Sequence, residues 1–326
     1  MLKSQPFNVV IIGAGKIGAF FDTPESSGIL THAHAFTADP AFRLLGFMDV
    51  DVDQAARAAA IWGGRAFADL SQIFQNSTRV DVAVVAVPDQ WHAGVFQELV
   101  GHPVKLIFME KPLASTLDDA HRMADLCQKK SLSVLLNYSR RFVPEFQRLR
   151  LQISARSLGN FVTGSAYYGK GIVHNGSHMI DLLRYLIGDI HDFTCVTAVR
   201  DFSEVDPSVS AVLRFSGDQT LFLQAVDSRL VSVFEADLFF EKGRIRILDS
   251  GFLIEESEIG DSPVYPGYRI LSNVYSLPSS LDQALKFAVR NIAGHLNSKE
   301  DLRCDVNEGL TTLELCLKIA DGAQAL

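Results

Sequence analysis

The first 136 residues alternate short apolar runs with helical stretches, whereas beyond residue 188 the apolar positions recur at every second residue. Val9-Val10-Ile11-Ile12 is an unbroken β-branched run, the pattern of a parallel strand covered on both faces. Comparable runs at Phe42–Met48, Val80–Val87, Val104–Met109 and Ser133–Leu136 predict further strands, and Leu117–Lys130 predicts a helix between the last two. From Ser177 the period is again helical, with Met179, Ile180, Leu183, Leu186 and Ile187 on one face and Gly188 as the stop. Thr194–Val199, Ser208–Phe215, Thr220–Val226, Val233–Phe240 and Gly243–Ile247 then alternate as antiparallel strands with one covered face do. Helices over Ser280–His295 and Val306–Ala323 complete the second half. Two domains are expected, 1–136 and 137–326, the first with a parallel sheet and the second with an antiparallel one.

The turn after the first strand reads Gly13-Ala14-Gly15-Lys16-Ile17-Gly18, at G-x-G-x-x-G spacing where a helix should begin. Gly13 permits the tight turn, Gly15 lets backbone approach a pyrophosphate, Gly18 lets helix pack on strand, and the phosphates would rest on the helix N-terminus. Lys16 and Ile17 belong to the same dinucleotide-binding loop. Phe42–Met48 ends at Asp49, a carboxylate that suits ribose hydroxyls and repels a 2′-phosphate, so NAD is favoured over NADP. The bland alternative makes Asp49, Asp51 and Asp53 a solvated turn or helix cap. Asp49 lies beyond the usual offset of about 20 residues from the glycines. The extra length sits in Asp22–Gly28, whose Pro24 and Gly28 break the first helix before it resumes near Thr31–Phe36. This insert either touches substrate or is plain surface. His32 and His34 are two apart and cannot share a helix face, so no metal site follows from them.

Val80–Val87 runs into Pro88-Asp89-Gln90-Trp91-His92, which places Val87, Pro88 and the stretch from Asp89 to His92 beside the nicotinamide pocket. For His92, a helix-start residue satisfied by backbone is the favoured reading. Val104–Met109 delivers Glu110-Lys111-Pro112, and an ammonium at the end of a buried strand beside a cofactor makes Lys111 the first candidate for chemistry.

Together with Tyr138-Ser139-Arg140-Arg141-Phe142-Val143-Pro144, these motifs resemble the Gfo/Idh/MocA oxidoreductase family in order and spacing over the first half of the chain. The resemblance implies an α/β Rossmann domain followed by an α+β domain with a large, mostly antiparallel open sheet. It further implies NAD or NADP as cofactor, Glu110 and Lys111 at the cofactor, a cis Lys111-Pro112 bond, and sugars, polyols or nucleotide sugars as substrates. Arg141 is placed on the substrate side. Ser177-His178-Met179-Ile180-Asp181 resembles the family's catalytic helix, with His178 as the catalytic histidine and Asp181 as a helix residue that orients or packs. The family often has an aspartate four residues before that histidine, where this chain has His174, next to Asn175; Asn175-Gly176-Ser177-His178 resembles the members acting on nucleotide-linked sugars. Tyr168 and Lys170, in the preceding extended segment, are further candidates for hydroxyl or phosphate groups, or simply surface.

The implied mechanism has His178 take a hydroxyl proton while the carbon gives hydride to the cofactor, and Lys111 stabilise the oxyanion. Rival readings are a non-catalytic cofactor-responsive regulator of the same fold and an NADP-linked keto-sugar reductase. Composition adds bounds. The 326 residues are 48% hydrophobic, enough core for two domains, and no span of eighteen apolar residues suggests a membrane helix. A net charge of −8 argues against nucleic acid. Cys127, Cys195, Cys304 and Cys316 show no C-x-x-C spacing, and no leader pattern precedes the first strand, so reduced, structural cysteines and a cytoplasmic location are expected. Apolar positions such as Phe222 and Phe239 on the second sheet would suit a homodimer or homotetramer.

Overall fold

The computed structural model describes residues 5–75 and 79–325. Its first sheet has six parallel strands: β1 (Phe7–Ile12), β2 (Phe42–Met48), β3 (Arg65–Phe67), β4 (Val82–Val85), β5 (Leu106–Met109) and β6 (Ser133–Leu136). Their spatial order is β3-β2-β1-β4-β5-β6, so the winding direction reverses between β1 and β4. Carboxyl ends of strands at such a reversal flank a ligand crevice. Every residue of Val9–Ile12 and Val82–Val85 is fully buried, which is why these segments carry no polar alternation.

Helices α1 (His32–Thr37), α2 (Val52–Trp62), α3 (Leu70–Phe74), α4 (His92–Leu99) and α5 (Leu117–Lys130) connect these strands. The ends of α5 follow from its sequence: the Thr116 side chain caps the Asp119 N–H, acids fill the first turn, lysines the last, and Ser131 stops it in the left-handed region. The first helix is interrupted as expected. Only Lys16–Phe20 is helical after the glycines, with π-type bonding, before the chain loops out and re-enters at α1.

The second sheet has eight strands: β7 (Phe161–Tyr168), β8 (Ile190–Val199), β9 (Ser208–Phe215), β10 (Thr220–Ala225), β11 (Phe234–Phe240), β12 (Gly243–Leu248), β13 (Leu253–Asp261) and β14 (Arg269–Pro278), in the order β14-β13-β12-β11-β7-β10-β9-β8. All neighbours are antiparallel except β7 and β10, which run parallel. Buried and half-buried residues alternate along β11 and β12, the one-sided pattern expected from sequence. The strands β13 and β14 escape that pattern: β14 is exposed along nearly its whole length, so no buried face imposes a period. Phe222 is 48% exposed, but Phe239 is half-buried with the Arg244 guanidinium over its ring.

The remaining helices are α6 (Pro144–Ser154), α7 (Ser177–Leu186), α8 (Ala284–Leu296) and α9 (Val306–Gly322). Compactness divides the chain into residues up to Phe142 with Asp282–Thr311, and Val143–Leu281 with Thr312 onward. The division expected at residue 136 is a single cut, whereas Asp282–Thr311 returns to the first unit. Backbone bonds hold it there: Ile29 N–H donates to Asp282 O at 2.8 Å, and Leu136 N–H to Cys304 O at 2.9 Å. All four cysteines are free thiols; burial pushes Cys127 up to about 12, and Cys316 well above its ordinary value.

Candidate active site

The glycine loop is built by close approach. Gly13 has φ +97°, and a Cβ there would lie 2.4 Å from Ala86 O; a Cβ at Gly18 would lie 2.1 Å from Gly13 O. At Gly15, by contrast, a Cβ would meet nothing within 4 Å, and this residue faces open space. That space is a cavity of about 480 Å³ lined by Gly13, Gly15, Asp49, Gln54, Val87, Pro88 and Trp91, among others. Asp49 does more than line it. Its Oδ2 accepts from Ala14 N–H at 2.7 Å and from Gln54 Nε2 at 3.1 Å, while Oδ1 accepts from Asp51 N–H at 2.9 Å. One carboxylate thus fixes the glycine turn and stands at the end of β2, where a ribose would be read. An open backbone at Gly15, a crowded one at Gly13 and Gly18, and an acid at the rim fit a dinucleotide.

Lys16, Ile17, Gly18, Asp89, His92, Glu110 and Lys111 do not line this cavity. Lys16 is exposed, Ile17 half-buried and Gly18 buried. His92 has the favoured one of its two expected roles, that of a helix-start residue satisfied by backbone. It opens α4, is fully buried, and has Nδ1 2.8 Å from Pro112 O and Nε2 3.0 Å from Val87 O. Its ring therefore ties the end of β4 to the loop after β5 from behind. Trp91, within the Asp89–His92 stretch expected beside the nicotinamide, lines the cavity and is 59% exposed.

The end of β5 presents Glu110 and Lys111, and the Lys111-Pro112 bond is cis. Glu110 Oε1 lies 2.8 Å from His32 Nε2 and accepts from Asn137 Nδ2 at 2.7 Å. Burial would raise the Glu110 carboxyl, but these hydrogen bonds and the positive charge of Lys111 outweigh it, so the group sits below the ordinary carboxylate range. Lys111 is half-buried beside it. Arg141 is also corrected as a substrate residue: only 2% exposed, it pairs with Glu308 at 2.8 Å and donates to Arg303 O, both within the first unit.

In the second unit, His178 is the second residue of α7 and half-buried. Asp181, one turn on, is 2% exposed and accepts from Thr312 Oγ1 at 3.5 Å. Tyr168 is corrected outright. The parity of β7 turns it inward, where its hydroxyl donates to Val209 O at 2.9 Å and accepts from Val209 N–H at 2.7 Å. Burial raises this phenol well above its ordinary value. Lys170 and Asn175 line one cavity of about 370 Å³ together with Ser228 and Ser232. Lys170 is held in the left-handed region (φ 69°), its N–H donating to Asp201 Oδ2, which also accepts from Ser228 N–H. Burial would raise Asp201, but these backbone donors and Ser208 bring it down to about 2. Asn175 Nδ2 is committed to Gly169 O, and the His174 ring stacks on Phe202 at 4.3 Å. Among the described residues no group of three His, Cys, Asp or Glu is placed to hold a metal ion, and no helix is long and apolar enough to cross a membrane.

The sheet order, the glycine turn and the acid after β2 define a dinucleotide-binding protein of the Rossmann class. More narrowly, residues 7–138 match the model of the Gfo/Idh/MocA oxidoreductase family, described as having an NAD-binding Rossmann fold. NAD is the cofactor of that family. The chain is 31% identical over 200 residues to inositol 2-dehydrogenase 2 of Paenarthrobacter aurescens (strain TC1), covering 56% of each. It is 28% identical over 123 residues to the rhizopine catabolism protein MocA of Rhizobium meliloti, covering 33% of this chain and 38% of that protein. The matches thus span between about a third and somewhat over half of these relatives. In fold it is similar to UDP-N-acetylglucosamine 3-dehydrogenase GnnA from Acidithiobacillus ferrooxidans, with TM-score 0.76, 19% identity and 98% of each chain covered.

Proposed function

We propose that this protein is an NAD-dependent dehydrogenase or reductase acting on a secondary alcohol of a sugar, polyol or nucleotide sugar. The observation that carries the reading is the cavity at the glycine turn, with open backbone at Gly15 and an Asp49 carboxylate bonded to Ala14 N–H at its rim. The named activity of the inositol dehydrogenase relative supports the substrate class. Gly13, Gly15, Asp49, Val87, Pro88 and Trp91 would hold the dinucleotide, which when bound supplies the hydride acceptor or donor.

The chain's own residues take the other roles. His178 accepts the hydroxyl proton, a task that suits an imidazole near neutral pH. Lys111 donates to the developing oxyanion, and the ionised Glu110 beside it favours the charged ammonium that donation requires. Lys170 and Asn175, on a turn fixed by Asp201, meet the more distant hydroxyl or phosphate groups. The presence of both Lys111 and His178 favours catalysis over a regulatory role, and Asp49 favours NAD over NADP.

The test is NADH formation with free inositol and hexoses beside UDP-, GDP-, CMP- and dTDP-sugars, with Lys111→Ala as control. Turnover of at least one class is expected, falling by about 10²–10³ in Lys111→Ala while NADH binding is kept. No turnover with any of them, or wild-type turnover in Lys111→Ala, overturns the reading.

A further inference from the structure

The segment Asp22–Leu30, which reads as an insertion, is clasped by one buried acid. Asp22 is 8% exposed; its Oδ2 accepts from Leu30 N–H at 2.6 Å and lies 2.8 Å from His34 Nδ1. Its Oδ1 accepts from Thr31 Oγ1 at 2.5 Å, and that hydroxyl in turn accepts from His34 N–H to cap α1. The start of α1 is therefore fixed, and its first residue is His32.

His32 is fully buried and stands edge-on to Phe108 of β5, with ring centroids 4.8 Å apart. Its Nε2 and the Asn137 amide converge on the same Glu110 oxygen. Two buried atoms of this cluster, His32 Nδ1 and Asn137 Oδ1, have no hydrogen-bond partner among the described residues. An apolar ring would pack on Phe108 as well, so what the imidazole adds here is its hydrogen bond to Glu110. A reason lies in the next residue of β5's extension. A buried carboxylate stays ionised only where donors meet it, and an ionised carboxylate next to an ammonium favours the ammonium's charged, donating form.

We infer that His32 is a positioning residue for the reaction, holding the Glu110 carboxylate from behind so that Lys111 is kept as a charged, oriented donor. The inference rests on the role proposed above for Lys111. Because Glu110 is ionised, the shared proton belongs to His32 Nε2, and a side chain at position 32 serves in so far as it donates there.

The experiment compares His32→Leu, which removes the donor, with His32→Gln, whose amide can replace it. Each is measured for kcat and substrate KM, for NADH affinity by fluorescence titration, and for melting temperature. His32→Leu is expected to lower kcat by about tenfold or more, with KM and NADH affinity little changed, and His32→Gln to recover most of the loss. Where the leucine variant does not fold, His32→Asn, polar but too short to reach Glu110, takes its place. Wild-type kcat in the donor-free variant, or equal losses in the donor-free variant and His32→Gln, overturns the inference. Lys111→Ala run alongside separates the two failures: if it is slow and His32→Leu is not, only the role of His32 falls, whereas wild-type turnover in Lys111→Ala removes the premise.

Discussion

Tyr168 shows how a single side chain changes meaning once its partners are known. As a tyrosine in an extended segment before a histidine helix it looked available to a substrate, yet its hydroxyl serves both backbone groups of Val209. Tyr168→Phe is expected to destabilise the fold by about 1–3 kcal/mol, because Val209 N–H and C=O are left buried without that partner. Denaturant midpoints measure the loss, with kcat at the wild-type level; a lowered kcat at unchanged stability would return Tyr168 to the substrate. Asp49 is the opposite case. Its residue type and place at a strand end were legible, but its bond to Ala14 N–H was not, since residues 35 apart in sequence meet only through the pairing of β1 with β2.

At the scale of elements, the turn Gly169-Lys170-Gly171 depends on acids that arrive from the loop between β8 and β9. Asp201 accepts from Lys170 and Ser228 N–H and from Ser208 Oγ, and its carboxyl is lowered from 3.8 to about 2. A carboxyl lowered on folding contributes stability that is present above its unfolded value and lost as pH falls through the folded one. The wild type should therefore lose stability relative to Asp201→Asn between pH 3.8 and about 2, read as the difference in denaturant midpoint across that range. A constant difference would mean that the hydrogen bonds do not depend on the charge. Asp206 has the opposite sign. Burial raises it despite donors from Val173 and His174, so its contribution falls as pH rises above 3.8. Elements with a buried face, such as β9, α5 and α7, were legible because burial imposes a period; β14 was not, because almost none of it is buried.

For the whole molecule, the first unit closes only when the chain returns. Cys304 O accepts from Leu136 N–H, Glu308 pairs with Arg141, and a Cβ at Gly309 would lie 2.8 Å from Leu136 Cγ. A fragment ending at Phe142 is accordingly expected to lack the cooperative thermal transition of the full chain, because Arg141 would lose its ion pair with Glu308 and Leu136 N–H its acceptor on Cys304. Circular dichroism on heating checks this; a sharp transition in the fragment would show that Asp282–Thr311 is dispensable. The strands with a buried face, the glycine turn, the acid after β2 and the lysine after β5 were legible in the residues alone, since each is set by local period or by residue type at a strand end. The partners of the polar side chains come from the fold: Val209 for Tyr168, Glu308 for Arg141, Pro112 O for His92 and Glu110 for His32. Those commitments join residues 20 to 167 positions apart, and no local pattern encodes a partner that distant.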